Sequence, residues 1–364
     1  MSDKKSRKSA LSVTGGVDQP SSVNRKAIEK FRKARTGLPS PGEWVERLRS
    51  GDRSLLSKAI TLVESSLDEH QAVAQKLIRL SLPYAGNSLR VGITGVPGAG
   101  KSTFIESFGT HLTGKKHRLA VLAIDPSSAR SSGSILGDKT RMPDLSADPR
   151  AFIRPSPSGG SLGGVARKTR ESIILCEAAG YDIIIVETVG VGQSETAVHS
   201  MVDFFLLLMI PGAGDELQGM KRGIMEMADA IAINKADGDN IDAANRARSE
   251  FANALHLFPL PPSGWPPRVN TCSSLEGMGI REIWELILDY KRHSTENGFF
   301  KQRRANQATY WMHETIRERI QQRFFSQPGV SGQITELEKA VLRDELSSFQ
   351  AAAQLLDRFF PGKK

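Results

Sequence analysis

Apolar residues recur along this chain in two periods, and the change from one to the other outlines the fold. From Pro41 the spacing is helical. Pro41 suits the first turn of a helix, and Trp44, Val45 and Leu48 then share one face. Ser50-Gly51-Asp52 breaks that helix. Asp52 can cap the next one, which carries Leu55, Leu56, Ala59, Ile60 and Val63 at three-to-four spacing. A third helix turns Ala74, Leu77 and Ile78 inward. Short continuous apolar runs then take over: "LRVGIT" (89–94), "LAVLAID" (119–125), "DIIIVET" (182–188), "FFLLLMI" (204–210), "AIAINK" (230–235) and "RVNTCSS" (268–274). "AFIRPSP" (151–157) adds a candidate strand. These runs alternate with helical segments, which predicts βαβ units: an α/β fold with a mostly parallel sheet and helices on both faces.

Beyond Tyr290 only helical spacing remains. Ala308, Met312, Ile316, Ile320 and Phe324 form one stripe with Trp311 beside it. A further pair of helices is centred on Leu337, Val341 and Leu342, then on Ala352, Leu355, Leu356 and Phe359. A stripe appended to a complete α/β domain needs a cover, either its own domain or a second copy of the chain. The pattern divides the chain into a tail (1–40), an N-terminal helical segment (41–86), an α/β domain (87–292) and a C-terminal helical arm (293–364).

Charge changes this picture little. The net +9 of the 364 residues suggests a nucleic-acid partner, but residues 1–40 hold ten Lys or Arg against three Asp or Glu. The basicity belongs mostly to a Ser/Lys/Arg-rich tail without apolar periodicity, which is expected to be disordered. Asp3 and Asp18 interrupt it as a mitochondrial presequence, and no apolar signal region follows the start. The longest apolar run, Phe204 to Ile210, is far short of the ~20 residues that span a bilayer, so no membrane is expected. Two isolated cysteines, Cys176 and Cys272, argue for a reducing, cytoplasmic setting.

The polar motifs sit at the carboxyl ends of the apolar runs, where open parallel sheets bind ligands. "GVPGAGKST" joins "LRVGIT" to the helical run "TFIESFGTHL", and Gly95-x-x-x-x-Gly100-Lys101-Ser102 is the phosphate-binding loop pattern. The predicted cradle is Gly95, Val96, Pro97, Gly98, Ala99, Gly100, Lys101, Ser102 and Thr103. Its glycines let backbone N–H groups close around phosphates, and the helix N-terminus adds partial positive charge. Lys101 is expected on the β- and γ-phosphates and Ser102 on Mg²⁺. Mg²⁺ needs hard oxygen ligands, and Asp125, Asp138 and Glu187 are the candidates. Glu187 ends an apolar strand, and Gly190 follows where a backbone N–H can sense a γ-phosphate. Lys101, Asp125, Glu187 and Gly190 are thus the expected catalytic set. Val191 directly after Gly190 can neither orient nor polarise water, so unaided hydrolysis should be slow and await a partner.

"NKAD" selects the base. Guanine offers N1–H and N2–H₂, and one carboxylate, Asp237, can accept both; adenine has an acceptor at N1. Asn234 can bind N7 or brace the loop, and the Lys235 stem can cover the base. At the next strand end, Ser273, Ser274 and Leu275 would offer backbone N–H groups to guanine O6. The nucleotide is therefore GTP or GDP.

Taken together, "AITLVES", "RVGITGVPGAGKST", "AIDPSS", "GSILGDKTRM", "ETVGVGQSE", "PGAGDELQGMKRGIMEMAD", "NKAD" and "WMHE" resemble the MeaB/MMAA/ArgK family of P-loop GTPases, from about Trp44 to the C-terminus. The resemblance implies GTP and Mg²⁺ use and a homodimer held by the C-terminal arm. It also implies a chaperone that gates cofactor loading and protects an adenosylcobalamin-dependent acyl-CoA mutase. It makes Gly214–Met225 a third switch that reports nucleotide state, with Lys221 and Glu216 inside it. Ser274 stands where the family's base loop usually has Ala. Rival readings are a lysine/arginine/ornithine transport kinase or ATPase, a nickel-inserting GTPase, and a signalling switch without an enzyme client. Asp237 opposes ATP. The seven scattered histidines, with no Cys–His cluster, oppose nickel.

Overall fold

The structure is a computed structural model and describes residues 39–124, 141–155, 162–188, 194–212 and 222–359. Among the described residues, three helices come first: α1 (Pro41–Arg49), α2 (Arg53–Glu64) and α3 (Asp68–Ser81). Ser40 caps α1, and Glu43 returns a bond to the Ser40 N–H, a reciprocal box that satisfies two otherwise orphaned donors. The Asp52 carboxylate caps α2 at Leu55 N, 2.9 Å away. The buried faces are those the spacing predicts: Trp44, Val45 and Leu48, then Leu55 to Val63, then Ala74, Leu77 and Ile78.

Seven strands follow among the described residues: β1 (Leu89–Gly95), β2 (Leu119–Ile124), β3 (Ala151–Arg154), β4 (Ile183–Thr188), β5 (Phe204–Met209), β6 (Ala230–Ile233) and β7 (Arg268–Thr271). They form one sheet in the order β3-β2-β4-β1-β5-β6-β7, and every pairing is parallel, so the sheet is wholly rather than mostly parallel. Between them run α4 (Lys101–Gly114), α5 (Pro143–Ala147), α6 (Leu162–Ala178), α7 (Ser194–His199), α8 (Arg222–Met227) and α9 (Ile241–Leu255). The chain closes with α10 (Ile280–Glu296), α11 (Phe299–Phe325), α12 (Val330–Leu342) and α13 (Ser348–Phe359).

Alternation along the strands builds two cores. Val91, Ile93, Val121, Ile185 and Leu206 face α4, α9 and α10, where Phe104, Phe108, Phe251 and Trp284 fill the space. Leu122, Ile184, Val186 and Phe205 face the other way, onto α1–α3, α6 and α7. The N-terminal helices thus cover one face of the sheet. Strand β1 is central, flanked by β4 and β5, so a loop leaving its carboxyl end stands where the strand order diverges.

Candidate functional site

The loop Gly95–Gly100 leaves β1 at that point. A Cβ at Gly95 would sit on the Leu208 carbonyl of β5, so only glycine lets the two strand ends come this close. Gly100 takes φ 82° as the N-cap of α4, a left-handed conformation that side chains rarely adopt. The loop closes through Ala99 N–H to Val96 O at 3.1 Å. Lys101 Nζ donates back to Gly95 O at 2.9 Å and Val96 O at 3.4 Å. Burial pulls the Lys101 pKa below its usual value, and the carboxylates of Glu187 and Glu195 oppose that shift. Ser102 Oγ lies 3.4 Å from Glu187 Oε1, which comes from the adjacent strand β4 and is buried. Thr188 locks the same strand end by donating to Thr94 Oγ1 at 2.9 Å.

The base side is built on β6 and β7. Asn234 is 1% exposed. Its Nδ2 donates to Ala99 O of the phosphate loop at 2.8 Å, and its Oδ1 accepts from Ser274 N at 3.0 Å and Ser274 Oγ at 2.7 Å. The Asn234 side chain therefore braces the loops. Lys235 follows with φ 58°, so its stem leaves the strand end through a strained turn. Ser273 Oγ donates to Asp237 Oδ2 at 2.5 Å. Ser273 N–H is committed to Met278 O, so of the three expected O6 donors Ser274 and Leu275 remain, with Ser274 N–H shared with Asn234. Asp125, Asp138, Gly190, Val191 and the Gly214–Lys221 segment lie outside the described residues.

Residues 56–329 match the family described as methylmalonyl Co-A mutase-associated GTPase MeaB. The chain belongs to the MeaB family. It is 49% identical over 313 residues to GTPase ArgK of Escherichia coli, covering 86% of this chain and 95% of that protein. It is 48% identical over 330 residues to the Mus musculus methylmalonic aciduria type A homolog, mitochondrial, covering 87% of this chain and 80% of that one. A crystal structure described as a LAO/AO transport system kinase matches with TM-score 0.72 and 41% identity, over 89% of this chain and 99% of that one. As a MeaB-family GTPase the chain binds guanine nucleotide. Among the described residues no helix is long and apolar enough to cross a membrane.

The motif reading missed the residues at the opposite end of the sheet. Asp203 Oδ2 accepts from Arg90 N on β1 at 2.8 Å, and Asp229 Oδ2 accepts from Phe205 N on β5 at 2.8 Å. Asp182 does the same for Arg118 N, ahead of β2, at 2.7 Å. Two consecutive arginines of α11 then pair with two of these acids: Arg304 with Asp203 at 2.6 Å and Arg303 with Asp229 at 3.2 Å. A signal was present, since "YDIII", "VDFFLLL" and "ADAIAI" each place an Asp directly before an apolar strand. Nothing local in the sequence assigns Arg303 and Arg304 to them.

Proposed function

We propose that this MeaB-family GTPase is a nucleotide-controlled chaperone of an adenosylcobalamin-dependent acyl-CoA mutase of the methylmalonyl-CoA type, gating cofactor loading and protecting the enzyme. The single observation that carries the guanine reading is the Asn234 brace. It ties the phosphate loop to the Ser273–Leu275 loop and leaves the Asp237 carboxylate, oriented by Ser273, to accept guanine N1–H and N2–H₂. The client is supported by the family's description and by the name of the mouse relative.

Lys101 reaches from the loop carbonyls to the β- and γ-phosphates. Backbone N–H groups of Gly98 and of Gly100 to Thr103 orient the triphosphate, and the N-terminus of α4 lowers the cost of gathering its charge. Ser102 and Glu187 present a hydroxyl and a buried carboxylate 3.4 Å apart, a hard-oxygen pair that fits Mg²⁺. Asp125 and Asp138 complete the proposed ligand set. Bound there, Mg²⁺ neutralises charge that develops on the phosphates. Val191 supplies no polar group for water, so basal hydrolysis is slow and the client completes the site. The outward residues of α11, with Met312 54%, Ile316 48% and Ile320 54% exposed, support a homodimer through the arm.

The test combines GTP and ATP turnover with transfer of adenosylcobalamin to purified apo-mutase, followed by the cofactor's absorbance. GTP-specific turnover, stimulated by the mutase, is expected, and Asp237→Asn should move the preference toward XTP. Equal turnover of ATP and GTP would sink the base assignment. Unchanged turnover and unchanged transfer in the presence of the mutase would sink the chaperone role.

A further inference from the structure

We propose that the Ser274 hydroxyl is a positioning group that slows release of the guanine nucleotide. This rests on the guanine reading above and deepens it. The two serines of the base loop divide their hydroxyls between two different residues. Ser273 Oγ donates to Asp237 Oδ2 at 2.5 Å, whereas Ser274 Oγ donates to Asn234 Oδ1 at 2.7 Å. Asp237 reads the base edge. Asn234 touches the phosphate loop through its donation to Ala99 O at 2.8 Å. Ser274 therefore acts on the hinge between the two halves of the nucleotide site, and Ser273 acts on base choice.

The arithmetic of donors makes the hydroxyl matter. Asn234 Oδ1 receives the Ser274 N–H at 3.0 Å, the Ser274 hydroxyl at 2.7 Å and a long contact from the Cys272 thiol at 3.6 Å. The thiol is a weak donor, and burial pushes its pKa up to about 12, so it stays protonated. Guanine O6 competes for the backbone N–H of Ser274. With alanine at 274, a guanine that drew this N–H away would leave Asn234 Oδ1 buried with the thiol alone. An unpaired buried carbonyl is unfavourable, so the amide would turn and loosen its grip on Ala99. The serine hydroxyl allows both acceptors to be satisfied at once. Ser274 is 7% exposed, so water cannot readily replace it. A Cβ at Gly100 would lie 2.9 Å from Asn234 Nδ2, which shows how closely the amide is fitted to the phosphate loop.

Stopped-flow displacement of fluorescent GDP and IDP analogues tests this. IDP lacks the 2-amino group that Asp237 accepts. Ser274→Ala should accelerate release of both nucleotides about fivefold, and by the same factor, because the lost bond acts through Asn234. Ser273→Ala should instead reduce the preference for GDP over IDP, because it frees Asp237. Release unchanged in Ser274→Ala overturns the proposal, as does a loss of GDP-over-IDP preference in that variant. If the unsubstituted protein fails to prefer GDP over IDP, the guanine reading itself falls, a result distinguishable from failure of the Ser274 assignment.

Discussion

The two ends of the parallel sheet are held by different chemistry. At the carboxyl ends, the loops that carry Lys101, Asn234 and Asp237 are joined by single hydrogen bonds from amide and hydroxyl donors, through Asn234 and the serines 273 and 274, and not by the ion pairs of the other end. At the amino ends, Asp203 and Asp229 are buried acids that cap neighbouring strands and pair with Arg304 and Arg303. Arg90 and Glu177 add another pair there at 2.8 Å. Amide and hydroxyl donors exchange partners at modest cost, so one end can rearrange around a nucleotide. Breaking a buried pair leaves an uncompensated charge, so the other end is fixed. The long helix α11 grows from the fixed end. Gln307 donates to Val202 O at 2.8 Å and Trp311 to Ser200 O at 3.1 Å, and both acceptors lie just past α7. The proximal half of the arm is thus a continuation of the sheet's floor, and only its distal half presents Ile316 and Ile320 outward.

The largest expected effect breaks the floor. Asp203→Ala strips the cap on Arg90 and leaves Arg304 with only the Gly86 and Ser88 carbonyls and no paired carboxylate, and should lower stability by about 3–5 kcal/mol in urea unfolding. A loss below about 1 kcal/mol would show that the pair is solvated and that the two ends do not differ. At the other end, Lys101→Ala should reduce GTP turnover about a hundredfold, as for loss of one preorganised cationic donor. Its unfolding midpoint should stay close to that of the unsubstituted protein. Turnover within threefold would contradict the role given to Lys101.

A third prediction concerns pH. His199 ends α7, packs edge-on against Phe205 with ring centroids 5.6 Å apart, and has its pKa pulled to about 3 by burial, with Arg303 adding to the shift. Folding keeps this ring neutral, whereas the unfolded chain protonates it below its ordinary value of 6.5. Stability attached to His199 is therefore full above pH 6.5 and falls as pH drops toward 3. Between pH 7 and pH 5 the loss should reach about 2 kcal/mol, and His199→Phe should flatten that slope in thermal unfolding. Equal slopes in the two proteins would place the acid sensitivity elsewhere. The smallest effect sharpens the division of α11. Ile316→Ser should change unfolding stability by no more than about 0.5 kcal/mol, yet weaken self-association in analytical ultracentrifugation. Truncation after Lys291 is a poorer test, because it also removes Arg303, Arg304 and Trp311 from the floor. A monomeric unsubstituted chain at micromolar concentration would sink the dimer.

Most of the architecture was legible in the sequence, and so was a candidate nucleotide site at one end of the sheet. Strand runs such as "DIIIVET" are continuous because they are buried on both faces. Helix faces follow a fixed period, and a phosphate loop must be glycine-rich for its backbone to close on a ligand. All these signals are local, carried within about ten residues. Asn234 shows the limit. Its neighbours in "NKAD" allowed it to bind the base or brace a loop, and only the tertiary approach of residues 99 and 274, both remote in the chain, supplies the bracing bonds. The floor was less legible still. The Asp-before-strand pattern was in the sequence, but the strand order that sets β5 beside β1 chose which N–H each acid caps. The packing of α11 then brought Arg304 to Asp203 across 101 positions. A charge does not encode its partner locally, because pairing at that separation is fixed only when the hydrophobic layers around it have closed.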